Sequence, residues 1–171
     1  MAGVPFRTEP ILTVLSQHNL QVAMPLEEDE LYQERILDHF EEPYHRGLCP
    51  GATHAHEEEN PLCGDVVRVE LAIDDGKICD AYFSGDGCCI SQASASMLIE
   101  QICGRRIDEV TTFTGADMLS LFGAKLTPNR QKCCLLCWRA LQSAIYSPVA
   151  AGPAESGSGD KPTDGCHDNC H

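Results

Sequence analysis

No apolar run in this sequence approaches the length that crosses a bilayer. Around Ile145 the apolar residues are interrupted by Ser143, Ser147 and Pro148, where a spanning helix needs about 20 in succession. No secretory leader is expected either. Residues 1–27 hold one short apolar stretch, Ile11 to Leu15, while a leader needs roughly 7–15 apolar residues and a small-residue cleavage site. No membrane association and a cytoplasmic location are therefore expected. Positive charge is scarce too: 12 Lys and Arg stand against 26 Asp and Glu, for a net charge of −14. Sequence-independent nucleic-acid binding needs a cationic surplus to displace phosphate counterions, so that class is excluded and a partner with a basic face is favoured. Gly85-Asp86-Gly87 lacks the further Gly and the Lys-Ser/Thr of a phosphate loop. No internal repeat is visible.

Cysteine, by contrast, is plentiful: there are eleven in 171 residues. Cytosolic thiols are kept reduced, so metal binding or sulfur chemistry is the expected use rather than disulfides. The apolar fraction of 43% and charged fraction of 22% suit one soluble globular domain with a real core.

Three segments are expected: a flexible arm over 1–27, a folded domain over 28–146 and a flexible tail over 147–171, rich in Gly, Pro, Ser and Ala. Tyr32, Ile36 and Phe40, four apart, predict a helix over 28–41, stopped by Pro43. Residues 44–61 read mainly as loop, with room for a short edge strand. Val67, Val69, Leu71 and Ile73 alternate with polar residues and predict a half-buried strand over 66–74. Asp74-Asp75-Gly76 turns it into a second strand over 77–84, an antiparallel hairpin. Helices are predicted over 90–103, 106–112 and 115–122. A last one runs from Pro128 to about Tyr146, with Leu135, Trp138, Leu141 and Ile145 as its buried stripe.

Cys63 precedes the first strand of the hairpin, Cys88 lies between its second strand and the long helix, and Cys133 is placed at the start of the last helix. A hairpin brings the entry of one strand beside the exit of the next, so Cys63 and Cys88 are expected to be neighbours. Helix N-termini and nearby cations, here Arg130 and Lys132 beside Cys133, favour the thiolate, which is both nucleophile and metal ligand. Asp65 adds an oxygen ligand, giving a Cys3Asp tetrahedron suited to zinc or to a cluster edge. No pair of C-x-x-C motifs frames a conventional zinc finger. Spacing alone leaves open three half-buried thiols at sheet ends.

Asn60-Pro-Leu-Cys-Gly-Asp65, Gly85-Asp-Gly-Cys-Cys-Ile-Ser91 with Ala93-Ser-Ala-Ser96, and Arg130-Gln-Lys-Cys133-x-x-Leu136-x-Trp138 together resemble the NifU/IscU/SufU scaffold family. Leu31 to His39 resembles its N-terminal helix, and the match covers about 28–146 in order. The resemblance implies an α+β fold, a three-stranded antiparallel sheet packed by helices, with an active site of Cys63, Asp65, Cys88 and Cys133. Lys132 stands where the IscU branch carries His and is similar to SufU, whose members bind zinc and accept persulfide sulfur from a cysteine desulfurase. The segment between Cys88 and Cys133 lacks the insertion typical of SufU and is closer in length to IscU.

Three functions follow. One is a zinc-dependent sulfur acceptor, catalytic at Cys63 and Cys133, supplied by a SufS-like cysteine desulfurase and serving recipient apo-proteins or a downstream scaffold. The second is a scaffold that builds a [2Fe–2S] cluster on the same ligands. The third is a structural zinc adaptor, disfavoured because closed structural sites use Cys and His. Cys89, Cys134 and Cys137 read as small packing residues, with persulfide relay as the alternative. Cys79 and Cys103 read as core and His39 as a packing or capping residue. His45, His54 and His56 read as solvated loop residues. The tail cluster Cys166, His167, Cys170 and His171 offers metal-binding side chains beyond a flexible linker.

Overall fold

The computed structural model describes residues 28–149. The expected arm over 1–27, most of the expected tail and its Cys166–His171 cluster lie outside the described residues. The order is α1 (Glu28–Glu41), β1 (His54–Asn60), β2 (Asp65–Asp74), β3 (Lys77–Ser84), α2 (Cys89–Ile102), α3 (Ile107–Thr112), α4 (Gly115–Phe122), α5 (Pro128–Cys134) and α6 (Leu136–Ala144). The sheet is antiparallel in the order β1-β2-β3. This is the α+β architecture expected.

The hairpin forms for a local reason. Asp75 and Gly76 both adopt positive φ, 45° and 71°, as the tight turn that matches strand twist requires. Val67, Val69 and Leu71 are fully buried, and a bulge between Ala72 and Ile73 ends the regular alternation. That shift puts Ile78, not Cys79, in the core with Ala81 and Phe83. Cys79 and Cys103 are half-buried rather than core.

One face of the sheet packs against α2 and α6, while α1, α4 and α5 pack on α2. Every residue from Ile90 to Ile99 is buried. Ser91, Ala93, Ser94, Ala95 and Ser96 are small enough to admit neighbouring backbone on all sides of the helix. The α1 stripe is buried only in part: Ile36 packs on the core, but Phe40 stays 41% exposed. His39 packs between α1 and α2, where Nδ1 lies 2.8 Å from Ser96 Oγ. Ser96 Oγ also accepts from Tyr44 N–H, so its own proton is free for His39.

One expectation is met in a longer form than foreseen, and one is corrected. The stretch 54–60, His-Ala-His-Glu-Glu-Glu-Asn, is a full seven-residue strand despite a composition poor in β formers. It is held by its register with β2 and, on its other edge, by Ser147 O and Val149 N–H. The last helix is two pieces, broken at Leu135. The buried face then runs through Leu136, Cys137, Ala140, Leu141 and Ala144, leaving Leu135 and Trp138 half-exposed.

Candidate metal centre

Asn60 ends β1 and builds the turn that presents Cys63. Its carbonyl accepts from Cys63 N–H (3.2 Å) and Gly64 N–H (2.8 Å), and its side-chain oxygen accepts from Leu62 N–H at 3.2 Å. Gly64 completes the turn at φ 72°, where L side chains are strained. Cys63 and Leu62 project as exposed residues. Asp65, at the first position of β2, is 4% exposed. After β3, the loop Gly85–Cys88 folds back, and Val66 N–H donates to Asp86 O at 2.8 Å. Cys88 is the N-cap of α2, and its N–H donates to Asp65 Oδ1 at 3.2 Å.

Three of the four expected site residues converge, and Cys88 stands beside that group. Donor atoms of Cys63, Asp65 and Cys133 lie within 4.8 Å of one another, with the Cys63 and Cys133 sulfurs 3.6 Å apart. Cys88 adjoins this group, contacting both Asp65 and Cys133. Burial alone raises the Asp65 pKa, but donation from Cys88, Cys63 and Ser91 outweighs it and holds the carboxyl below its ordinary range. Asp65 Oδ2 is nevertheless buried without a hydrogen bond of ordinary length and angle. An orphaned carboxylate oxygen facing thiols is a costly arrangement, and a cation there relieves it. The two sulfurs and one oxygen, with Cys88 adjoining, are a donor set that would accept a borderline cation such as zinc.

Cys133 departs from expectation. It is the penultimate residue of α5, not its first, and is 7% exposed. Burial, with the neighbouring thiols, pushes its pKa up to about 12. Without a metal it is held as a thiol. Two supporting residues had no role assigned from sequence. Asn60 Nδ2, buried, donates to Cys133 Sγ at 3.6 Å, and Ser91 hydroxyl faces Asp65. Both stand in the quoted motifs, so the signal was their position beside Pro61 and three residues beyond Cys88.

The surrounding cysteines divide by burial. Cys134 and Cys137 are buried beneath the site; burial raises the Cys134 pKa and takes that of Cys137 to about 12. Cys89 is exposed. Cys49, left without a partner in the sequence reading, is buried beside Glu70, which accepts its N–H at 2.9 Å. Burial takes its pKa to about 12 as well.

These thiols set an alkaline limit. A thiol whose folded pKa exceeds its unfolded value, about 8.5, contributes stability that is full below the unfolded value and lost as pH rises toward the folded one. The metal-free protein is expected to lose unfolding free energy steadily from about pH 9 to 12. Urea titrations in chelator at pH 7.5 and 10 check this. Equal midpoints would show that these thiols ionise freely.

Residues 31–149 match the family model described as the NifU-like N-terminal domain. The iron–sulfur cluster assembly scaffold protein IscU of Thermotoga maritima is 35% identical over 131 residues, covering 67% of this chain and 92% of the relative. The zinc-dependent sulfurtransferase SufU of Bacillus subtilis is 31% identical over 134 residues, 68% and 90% of the two chains. A crystal structure from Fervidobacterium islandicum, described as a candidate iron–sulfur cluster assembly scaffold for the SUF system, superimposes with a TM-score of 0.56. It has 31% identity and covers 66% of this chain and 94% of that one.

Proposed function

The chain belongs to the family of NifU-like N-terminal domains, and from that premise we propose that it serves cytoplasmic iron–sulfur cluster assembly by accepting sulfur from a cysteine desulfurase. The observation that carries the reading is an exposed thiol, Cys63, 3.6 Å from a buried one, Cys133, beside an orphaned carboxylate oxygen on Asp65. Cys63, Asp65, Cys88 and Cys133 would hold zinc, which when bound keeps thiols deprotonated at neutral pH. The named activity of the Bacillus relative supports this choice.

Cys63 is the acceptor because it stands on a turn open to solvent. Its thiolate attacks the outer sulfur of the desulfurase persulfide. The new S–S bond forms at Cys63 as the donor's bond breaks, and the donor cysteine leaves as a thiolate that takes up the proton Cys63 gave up. Cys133 is the second candidate, with Arg130 and Lys132 exposed beside it. Exposed Leu62 gives the docking partner an apolar contact next to the acceptor. Recipient apo-proteins or a downstream scaffold then take the sulfur.

Peptide mapping by mass spectrometry, after incubation with a SufS-like desulfurase and cysteine, tests this. One added sulfur on Cys63 is expected, and Asp65→Ala should impair transfer more than Asp86→Ala, whose side chain is exposed. Sulfur confined to Cys166 or Cys170, or none at all, overturns the mechanism. A second reading has support in the name of the Thermotoga relative: a [2Fe–2S] cluster assembled on the same four residues. It requires a visible chromophore after anaerobic addition of iron and sulfide, lost in Cys88→Ser.

A further inference from the structure

Asn60 touches both Cys63 and Cys133, and it meets them with opposite chemistry. It ends β1 and is 3% exposed. Its side-chain oxygen accepts from Leu62 N–H at 3.2 Å, the local turn that asparagine builds with the residue two positions on. A backbone N–H only donates, so this bond identifies that end of the amide as the oxygen. The end that faces Cys133 Sγ at 3.6 Å is therefore the NH2 group. An amide N–H left unpaired in a buried position is costly, which keeps this one aimed at the sulfur.

The two sulfurs differ in what surrounds them. Cys63 Sγ has the Asn60 carbonyl oxygen at 3.8 Å and the Asp65 carboxylate beside it, and both of these accept. Cys133 Sγ gives its thiol proton toward Asn129 O at 3.7 Å while it receives the Asn60 N–H. Once a cation stands in place of that proton, the bond to Asn129 ends and the Asn60 donation remains. The acceptor is then charged, and the bond is stronger for it. A donor aimed at a thiolate draws charge from the sulfur, and a thiolate stabilised in this way is a weaker nucleophile. The oxygens around Cys63 exert no such pull.

We propose that Asn60 is a positioning residue for sulfur acceptance: its amide holds Cys133 as the unreactive ligand and leaves Cys63 as the nucleophile. The consequence rests on the sulfur-accepting reading above; the geometry rests on the two ends of one amide. In transfer the Cys63 thiolate bonds to the outer sulfur as the donor's S–S bond breaks, and the donor cysteine leaves as a thiolate, so charge balances. Cys133 takes no part in that exchange. Asparagine alone of the turn-forming side chains serves both ends here. Aspartate supplies the oxygen without the N–H, and serine supplies an oxygen but is too short to reach the sulfur.

Those two residues make the test, since Asn60→Asp and Asn60→Ser both keep an acceptor for Leu62 N–H and both remove the donor to Cys133. With cobalt as the probe metal, the sulfur-to-metal charge-transfer band is expected at lower energy in both variants than in the wild type. Zinc-loaded protein given less than one equivalent of iodoacetamide should show, by peptide mapping, a Cys133-to-Cys63 labelling ratio about three- to tenfold higher in the variants. A role confined to the turn moves neither readout, because both variants keep the turn. A third measurement needs no variant: with an NMR-active cadmium isotope in the wild-type site, through-bond coupling from the metal to an Asn60 Nδ2 proton is expected. Absence of that coupling overturns the proposal, as does a wild-type band and labelling ratio in both variants. The functional reading is tested apart from this, by sulfur mapping after incubation with the desulfurase. A shifted band without sulfur transfer fails that reading alone, and transfer with an unmoved band and ratio fails the role of Asn60 alone.

Discussion

Cys133→Ser is expected to lower zinc affinity by about 100-fold or more, and the protein isolated without added iron is expected to lose most of its metal. Apparent binding energies of roughly 10–16 kcal/mol at four-ligand zinc sites, shared over four donors, give about 2.5–4 kcal/mol for each. The hydroxyl of serine is not ionised at neutral pH and cannot replace a thiolate. The buried position sharpens the effect: Cys133 is 7% exposed and receives the Asn60 amide at 3.6 Å, so no outside ligand takes its place without disturbing α5. Gly87→Ala should act on the same site from the other side. A Cβ at residue 87 collides with Ser91 Oγ and comes within 2.9 Å of Asp65 Cγ, displacing the carboxylate proposed as the oxygen ligand. Losses of roughly 10- to 100-fold are typical when a ligand's support is disturbed. Metal analysis, followed by competition with a chromogenic chelator, measures both. Unchanged zinc content in Cys133→Ser would remove this residue from the site.

Gly85→Ala should destabilise the whole domain by about 3 kcal/mol or more, within the range of severe single substitutions. Gly85 has φ 127° and lies against β2, so that an added Cβ would run into the Val66 carbonyl and lie 3.1 Å from Val67 Cα. The obstruction is backbone on a central strand, which cannot swing aside as a side chain can. The same loop carries Cys88 into the site and bonds to β2 through Asp86 O. Gly51→Ala is the contrast: its φ is also positive, at 70°, but nothing lies within 4 Å of an added Cβ, so the cost is about 1 kcal/mol of backbone strain. Urea unfolding of the two variants side by side checks the difference. Similar midpoints would mean that the loop relaxes away from β2.

Much of the site is legible in the sequence because its parts sit at element boundaries that local chemistry defines. Asp75-Gly76 specifies the hairpin turn, and the alternation from Val67 to Leu71 specifies which face of β2 is buried. With those two in place, Cys63 before the hairpin and Cys88 after it must lie at the same end of the sheet. The sequence also determines the small-residue surface of α2, since Ser and Ala over 91–96 allow close packing whatever packs there.

Other features depended on contacts between residues far apart in the chain. Nothing in His54–Asn60 favours a strand; pairing with β2 on one side and with 147–149 on the other makes it one. The helical pattern after Pro128 does not reveal the break at Leu135, which turns Cys133 from a helix start into a buried residue near a helix end. Its thiol state follows from that burial and from Cys63 and Cys88 alongside, not from the cations beside it in sequence. Asn60 and Cys133 are separated by 73 residues, and only the fold makes them neighbours. Local sequence determines conformations that neighbouring residues can decide among themselves. Burial, and the ionisation that burial controls, belong to the tertiary structure because they depend on which distant atoms displace the water.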